Sequence, residues 1–155
     1  MSSKSKGSQA ERELLHMFWS KGFACIRSAG SGSMKYPGPD LLVGNLARRM
    51  SIECKSTKDS KLYLGDSDIN QLRDFSKVFD AHALFAIKFS KKGWLFLNIE
   101  DFDKTPKGYS IDIKKAELNL SSLHSPFNPY LFLNYLVNHS FNVHLYPCDS
   151  SLHQN

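Results

Sequence analysis

Apolar and polar residues alternate most regularly in Met50-Ser51-Ile52-Glu53-Cys54-Lys55. Successive side chains of a strand point to opposite faces, so Met50, Ile52 and Cys54 share one face and Ser51, Glu53 and Lys55 the other. Leu41-Leu42-Val43, followed by the turn residues Gly44-Asn45, reads as a second short strand. A hairpin of these two strands brings Asp40 near Glu53 and Lys55. Upstream, Ala10, Leu14 and Phe18 recur at helical spacing, which predicts a helix from Ser8 to about Lys21, stopped by Gly22, after a basic arm over residues 1–7. Phe23 to Arg27 reads as the first strand, and Ser28 to Gly38 as a Gly- and Ser-rich loop.

Downstream, Ile69, Leu72, Phe75, Val78 and Phe79 form an apolar stripe on a helix from about Asp68 to Phe79. Ala81 to Phe89 and Trp94 to Ile99 read as an antiparallel pair across Ser90-Lys91-Lys92-Gly93. The Gly108 to Leu123 stretch closes the pattern with an extended segment and a short helical turn. The order helix, strand, strand, strand, helix, strand, strand predicts an α/β domain with one central mixed β-sheet flanked by helices.

Charge divides the chain in two. Residues 1–123 hold all 20 Lys and Arg against 14 of the 15 acidic residues, a balance of +6 that suits an acidic partner such as nucleic acid. Residues 124–155 carry a single charge, Asp149, among many Asn, Tyr, Phe, Leu and His. We therefore expect a domain over 1–123 and a C-terminal tail over 124–155, either peripheral or non-native. His124, His139, His144 and His153 lie in the tail, and their spacing matches no metal-ligand pattern. Cys25, Cys54 and Cys148 are odd in number and lack Cys-x-x-Cys spacing, which argues against a disulfide framework or a zinc site. Cys25 and Cys54 read as small core residues. The polar N-terminus resembles no signal peptide, and no apolar run is long enough to span a bilayer, so a cytoplasmic protein with no membrane role is expected.

The chemistry concentrates in Pro39-Asp40, twelve residues, then Glu53-x-Lys55. Two carboxylates are hard ligands that suit Mg²⁺, and a neighbouring ammonium can orient or help deprotonate a water, or stabilise charge on a phosphate. The plainer reading of Glu53 and Lys55 is an ion pair on a solvated strand face. Glu11 likewise has two readings. On the inward stripe its carboxylate reaches the sheet, whereas Ser8-x-x-Glu11 is also the signature of a helix capping box.

Four blocks in order sharpen the picture: Lys6-Gly7-x-x-x-Glu11-Arg12-Glu13-Leu14, Arg27-Ser28-Ala29-Gly30-Ser31-Gly32, Pro39-Asp40, and Ile52-Glu53-Cys54-Lys55-Ser56-Thr57. Together they resemble the archaeal Holliday junction resolvases of the PD-(D/E)xK nuclease superfamily, over roughly residues 4–120. The resemblance implies a restriction-endonuclease-like nuclease core and metal-dependent resolution of four-way DNA junctions in recombination and repair. By the same resemblance Glu11, Asp40, Glu53 and the Cys54 backbone carbonyl would ligate Mg²⁺, for which Mn²⁺ would substitute, and Lys55 would act on the attacking water. Ser31, with Ser28 as second candidate, would contribute to cleavage from its loop. Lys6, Arg12, Arg27, Ser28, Lys58 and Lys61 would contact DNA. Arg27 would clamp a phosphate, although a strand-end surface Arg is an equal reading. Paired cuts call for two active sites, hence a two-fold homodimer, whose surface we place around Phe75 to Phe89. Some members act beside a sliding clamp. The alternatives are another PD-(D/E)xK DNA endonuclease of restriction or repair type, and a catalytically silent DNA-binding protein on the same fold.

Overall fold

The computed structural model describes residues 3–28, 36, 38–90 and 93–122. Helix α1 spans Ser3–Ser20 and buries Ala10, Leu14 and Phe18, the stripe expected from their spacing. It ends where Gly22 enters the left-handed region at φ 79°. The Phe23 amide donates to the Phe18 carbonyl and the Gly22 amide to that of Trp19, while the Phe18 and Phe23 rings meet edge to face at 6.0 Å. This is a Schellman closure with its hydrophobic contact, a stop that glycine adopts without a Cβ penalty.

The chain then forms β1 (Ala24–Arg27), β2 (Leu41–Gly44) and β3 (Arg49–Thr57). After β4 (Lys61–Leu64) and α2 (Asp66–Phe79) come β5 (His82–Phe89) and β6 (Gly93–Leu97). A 3₁₀ turn, β7 (Asp103–Thr105), β8 (Gly108–Asp112) and α3 (Ile113–Ser122) complete the described chain. The central sheet has the order β1-β2-β3-β5-β6. Within it only the β3–β5 pair is parallel, and α2 supplies its crossover. The expected central mixed sheet flanked by helices is therefore present.

Both faces of the sheet are covered. Leu84 and Ala86 of β5 face a core built with Ala10, Leu14 and Phe18 of α1, while Phe85, Ile87 and Phe89 face a second core with Ile69 and Leu72 of α2 and Ala116 of α3. A strand buried on both sides needs a continuous apolar run, and His82–Phe89 supplies one.

Four expectations change. The sheet is not single: β4, β8 and β7 form a second, three-stranded antiparallel sheet. Helix α1 begins at Ser3, not Ser8, so part of the expected basic arm is helical and Ser8 lies in the helix interior. The capping-box reading of Ser8 and Glu11 falls with that. The stripe on α2 holds at Ile69 and Leu72, but Val78 is 90% exposed, and Ser76 takes the next buried position. Finally, β5 lies inside the sheet with Leu84 to Ile87 fully buried, so the strand half of the expected dimer surface cannot meet a partner. Phe75 and Phe79, stacked at 5.5 Å on α2, remain from that region.

Candidate active site

The hairpin of β2 and β3 builds the site. Its register sets Leu41 opposite Ile52, which places Asp40, one residue before the strand, across from Glu53. Asp40 Oδ2 accepts the Cys54 amide at 2.9 Å, and the Asp40 carbonyl accepts the Ser28 amide at 2.9 Å. One residue thus fixes the carboxylate on the strand and the entry to the loop that follows β1. A strand residue's N–H and C=O point to the same side, so the Cys54 carbonyl also faces Asp40.

Glu53 and Lys55 share the face of β3 towards α2, as the alternation predicted. Lys55 Nζ lies 3.1 Å from Glu53 Oε1 and 2.9 Å from Asp68 Oδ1. Burial, followed by the charge of Asp40, pushes the Glu53 carboxyl up to about 7, although Lys55 opposes this. Burial works to lower Lys55, but Glu53 and Asp68 outweigh it and raise its pKa. The lysine is therefore held as a cation and is not poised as a base at neutral pH. The solvated-face reading of this pair does not fit, since only 20% of the Glu53 side chain and 26% of that of Lys55 are exposed.

Glu11 lies on α1, across the sheet from Glu53. Its Oε2 accepts Arg27 NH1 at 2.7 Å, and the same nitrogen donates to Ser8 Oγ at 3.2 Å. Arg27 is thus not a bare strand-end cation: in the absence of DNA it holds the Glu11 carboxylate. Among the described residues no three His, Cys, Asp or Glu side chains converge closely enough to cage a metal. Asp40, Glu53 and Glu11 each lie near enough to Cys54 for their charges to act on its thiol. Burial first, then the charges of Asp40, Glu53 and Glu11, raise the Cys54 thiol well above its ordinary value. That thiol is no nucleophile, and Cys25, buried and pushed up to about 11, is not one either. Two mutually repelling carboxylates beside a strand carbonyl fit a hard divalent cation that keeps several waters.

The expected DNA contacts are dispersed. Lys58 and Lys61 are exposed after β3, with Lys61 Nζ 5.3 Å from the Tyr63 ring centroid. Arg12 is exposed on α1 and donates to the Ser8 carbonyl at 3.2 Å. Ser28 is half-buried beside Asp40. Lys6 belongs to α1, but its side chain, like the whole of Ser31, lies outside the described residues. A cavity of about 570 Å³ opens elsewhere, between the β2–β3 turn and the end of α2, and no expected site residue lines it.

Two contributors carry no local signal of chemistry in the sequence. Asp68 joins Lys55 from the first turn of α2. Glu13 of α1 accepts bonds from Lys88 of β5 and, at 2.8 Å, from the Trp94 indole of β6. Burial alone would raise the Glu13 carboxyl, but those two bonds hold it below its ordinary value. This network ties α1, and with it Glu11, to the far side of the sheet.

A sequence profile of archaeal Holliday junction resolvases (Hjc) matches residues 2–126. The chain belongs to that family. A resolvase relative from Archaeoglobus fulgidus, named crossover junction endodeoxyribonuclease Hjc, is 41% identical over 117 residues, covering 76% of this chain and 86% of the relative. One of the same name from Methanocaldococcus jannaschii is 39% identical over 107 residues, or 69% and 76% of the two chains. The 1.6 Å structure of the A. fulgidus resolvase Hjc superposes with a TM-score of 0.68 at 38% identity, over 71% of this chain and 89% of that one. Family membership sets aside the restriction-type alternative. No described helix is long and apolar enough to cross a membrane.

Proposed function

We propose that the chain is a metal-dependent endodeoxyribonuclease that resolves four-way (Holliday) junctions by paired phosphodiester hydrolysis, working on cytoplasmic DNA. The observation that carries this reading is the convergence of Asp40, Glu53 and Lys55 on one hairpin of a chain in the resolvase family. Asp40, Glu53 and the Cys54 carbonyl would hold Mg²⁺, or Mn²⁺ in its place, with Glu11 contributing from across the sheet. When bound, such an ion supplies positive charge to the phosphate and a more acidic water. Lys55 remains protonated and stabilises negative charge gathering on the phosphate. Arg27 keeps the Glu11 carboxylate in place until a phosphate competes for its guanidinium. Lys6, Arg12, Ser28, Lys58 and Lys61 contact the DNA backbone, Ser31 assists cleavage from the loop, and a two-fold homodimer supplies the second cut.

The experiment offers four-way junction, duplex and single strand to the parent, Asp40→Asn and Lys55→Ala proteins, in Mg²⁺ or EDTA. The parent is expected to cut junction only, and only with Mg²⁺. Asp40→Asn should lose cleavage but keep or gain junction affinity, because it removes a charge that repels phosphate. Substantial cutting by Asp40→Asn would sink the ligand assignment. Equal cutting of junction and duplex would sink structure selectivity, and binding without cleavage by the parent would favour the silent DNA-binding alternative.

A further inference from the structure

Lys55 reaches from β3 between carboxylates of two different elements. Glu53 precedes it by two residues on the same strand, whereas Asp68 comes from α2. The two Asp68 oxygens have separate partners: Oδ1 accepts Lys55 Nζ at 2.9 Å, and Oδ2 accepts the Gly65 amide at 3.0 Å. One carboxylate therefore closes the N-terminus of α2 and grips the lysine of the site.

We infer that Asp68 is a positioning residue for Lys55, setting its ammonium over Glu53 by tying it to the start of α2. The inference rests on Lys55 acting in cleavage, as proposed above. A lysine has a flexible four-carbon stem, and Glu53 alone leaves its ammonium free to follow a single, equally movable carboxylate. A second acceptor from another element fixes the point at which the charge is presented. That acceptor is itself well anchored. Gly65 follows β4, whose Leu64 pairs with Tyr109 of β8. Gly108, at φ +134°, lies so close that a Cβ there would meet the Leu64 carbonyl oxygen at 2.2 Å. The small second sheet thus sets Gly65, Gly65 orients Asp68, and Asp68 places Lys55.

The test compares Asp68→Gln with Asp68→Glu. Either residue can close a capping box by reaching the Gly65 amide, and only Glu keeps the charge that faces Lys55. Single-turnover junction cleavage, junction Kd and Tm are measured for both variants, for Asp68→Asn and for Lys55→Ala. Asp68→Gln and Asp68→Asn should cleave about 10–100-fold more slowly, the range typical of partners that orient a site, with junction affinity kept or raised and Tm close to the parent's. Asp68→Glu should recover much of the rate. A parental rate for Asp68→Gln beside an inactive Lys55→Ala would overturn the inference. So would rates that follow Tm equally in Gln and Glu variants, which would leave Asp68 as a helix cap only. A parental rate for Lys55→Ala would overturn the functional reading beneath it.

Discussion

Replacing Glu53 by Gln should stabilise the metal-free protein while destroying its activity. Glu53 titrates at about 7 instead of its ordinary 4.5, because burial and then Asp40 disfavour its charged form. At about 1.4 kcal/mol per pH unit, keeping this carboxylate ionised in the folded protein costs about 3 kcal/mol. The attraction of Lys55 is already contained in that shift, so the neutral amide gains about 3 kcal/mol net, or about 6–12 °C in Tm for a chain of this size.

The sign fixes the pH window. The unfolded chain loses the Glu53 proton near 4.5 and the folded chain near 7. Between these values the folded state binds more protons, so stability falls as pH rises. The cost is absent below 4.5 and complete above 7. Thermal melts of parent and Glu53→Gln in EDTA from pH 4 to 8.5 should therefore coincide at the acid end and separate through pH 5–7. Added Mg²⁺ should reverse the order, raising the parent's Tm and leaving the variant's unchanged. Parallel Tm curves across the whole range would refute the claim that Glu53 sits under electrostatic strain. A parent Tm indifferent to Mg²⁺ would refute its assignment as a ligand.

Three further outcomes are expected. Gly108→Ala forces a Cβ to within 2.2 Å of the Leu64 carbonyl oxygen at φ +134°, so urea unfolding should show a loss of about 2–4 kcal/mol; an unchanged midpoint would mean that β4 and β8 do not meet so closely. Ser51 is fully buried and its hydroxyl has no hydrogen-bond partner among the described residues, so Ser51→Ala should be neutral or stabilising by up to about 1 kcal/mol; a comparable loss would show that the hydroxyl is bonded. Removing residues 124–155, proposed as a tail outside the nuclease domain of 1–123, should leave Tm and junction cleavage intact, because the described cores draw on residues from Ala10 to Ala116; a fall in Tm beyond about 10 °C would make the tail part of the fold.

Local patterns were readable in the sequence, and contacts routed through the crossover were not. Glu53 and Lys55 are two residues apart on a strand, so strand alternation alone puts them on one face. Asp40 joins them through a tight hairpin whose turn residues are visible at Gly44-Asn45. Asp68 lies thirteen residues beyond Lys55, and their meeting depends on where α2 begins. The expected start near Asp68 hid this role, because the helix opens at Asp66 and makes Asp68 its third residue. The start of α1 was hidden in the same way. Ser3 to Gly7 carries no apolar repeat, so nothing marked it as helical, and Ser8-x-x-Glu11 imitated a start signal inside a helix already under way. The second sheet escaped for a related reason. Its strands have three to five residues, and β4 pairs with a strand more than forty residues later.

These missed contacts bear on how the site is built. Asp40, Glu53 and Lys55 arise from one hairpin, yet the hairpin alone does not hold them. Asp40 is bonded to the Cys54 amide and to the start of the loop after β1. Lys55 is bonded to α2 through Asp68, and Glu11, on the opposite face, is bonded to β1 through Arg27. The charged groups are thus shared between the central sheet and different neighbouring elements. An isolated hairpin with the same residues would place the same charges and let them drift apart, since two carboxylates in contact repel and only outside partners oppose that repulsion. The proposed catalytic arrangement should therefore fail early in unfolding. Any loosening of α2 from the sheet frees Lys55 before the β2–β3 ladder breaks, so junction cleavage should decline at lower urea concentration than far-UV dichroism does, and coincident transitions would show that the site and the sheet unfold as one unit.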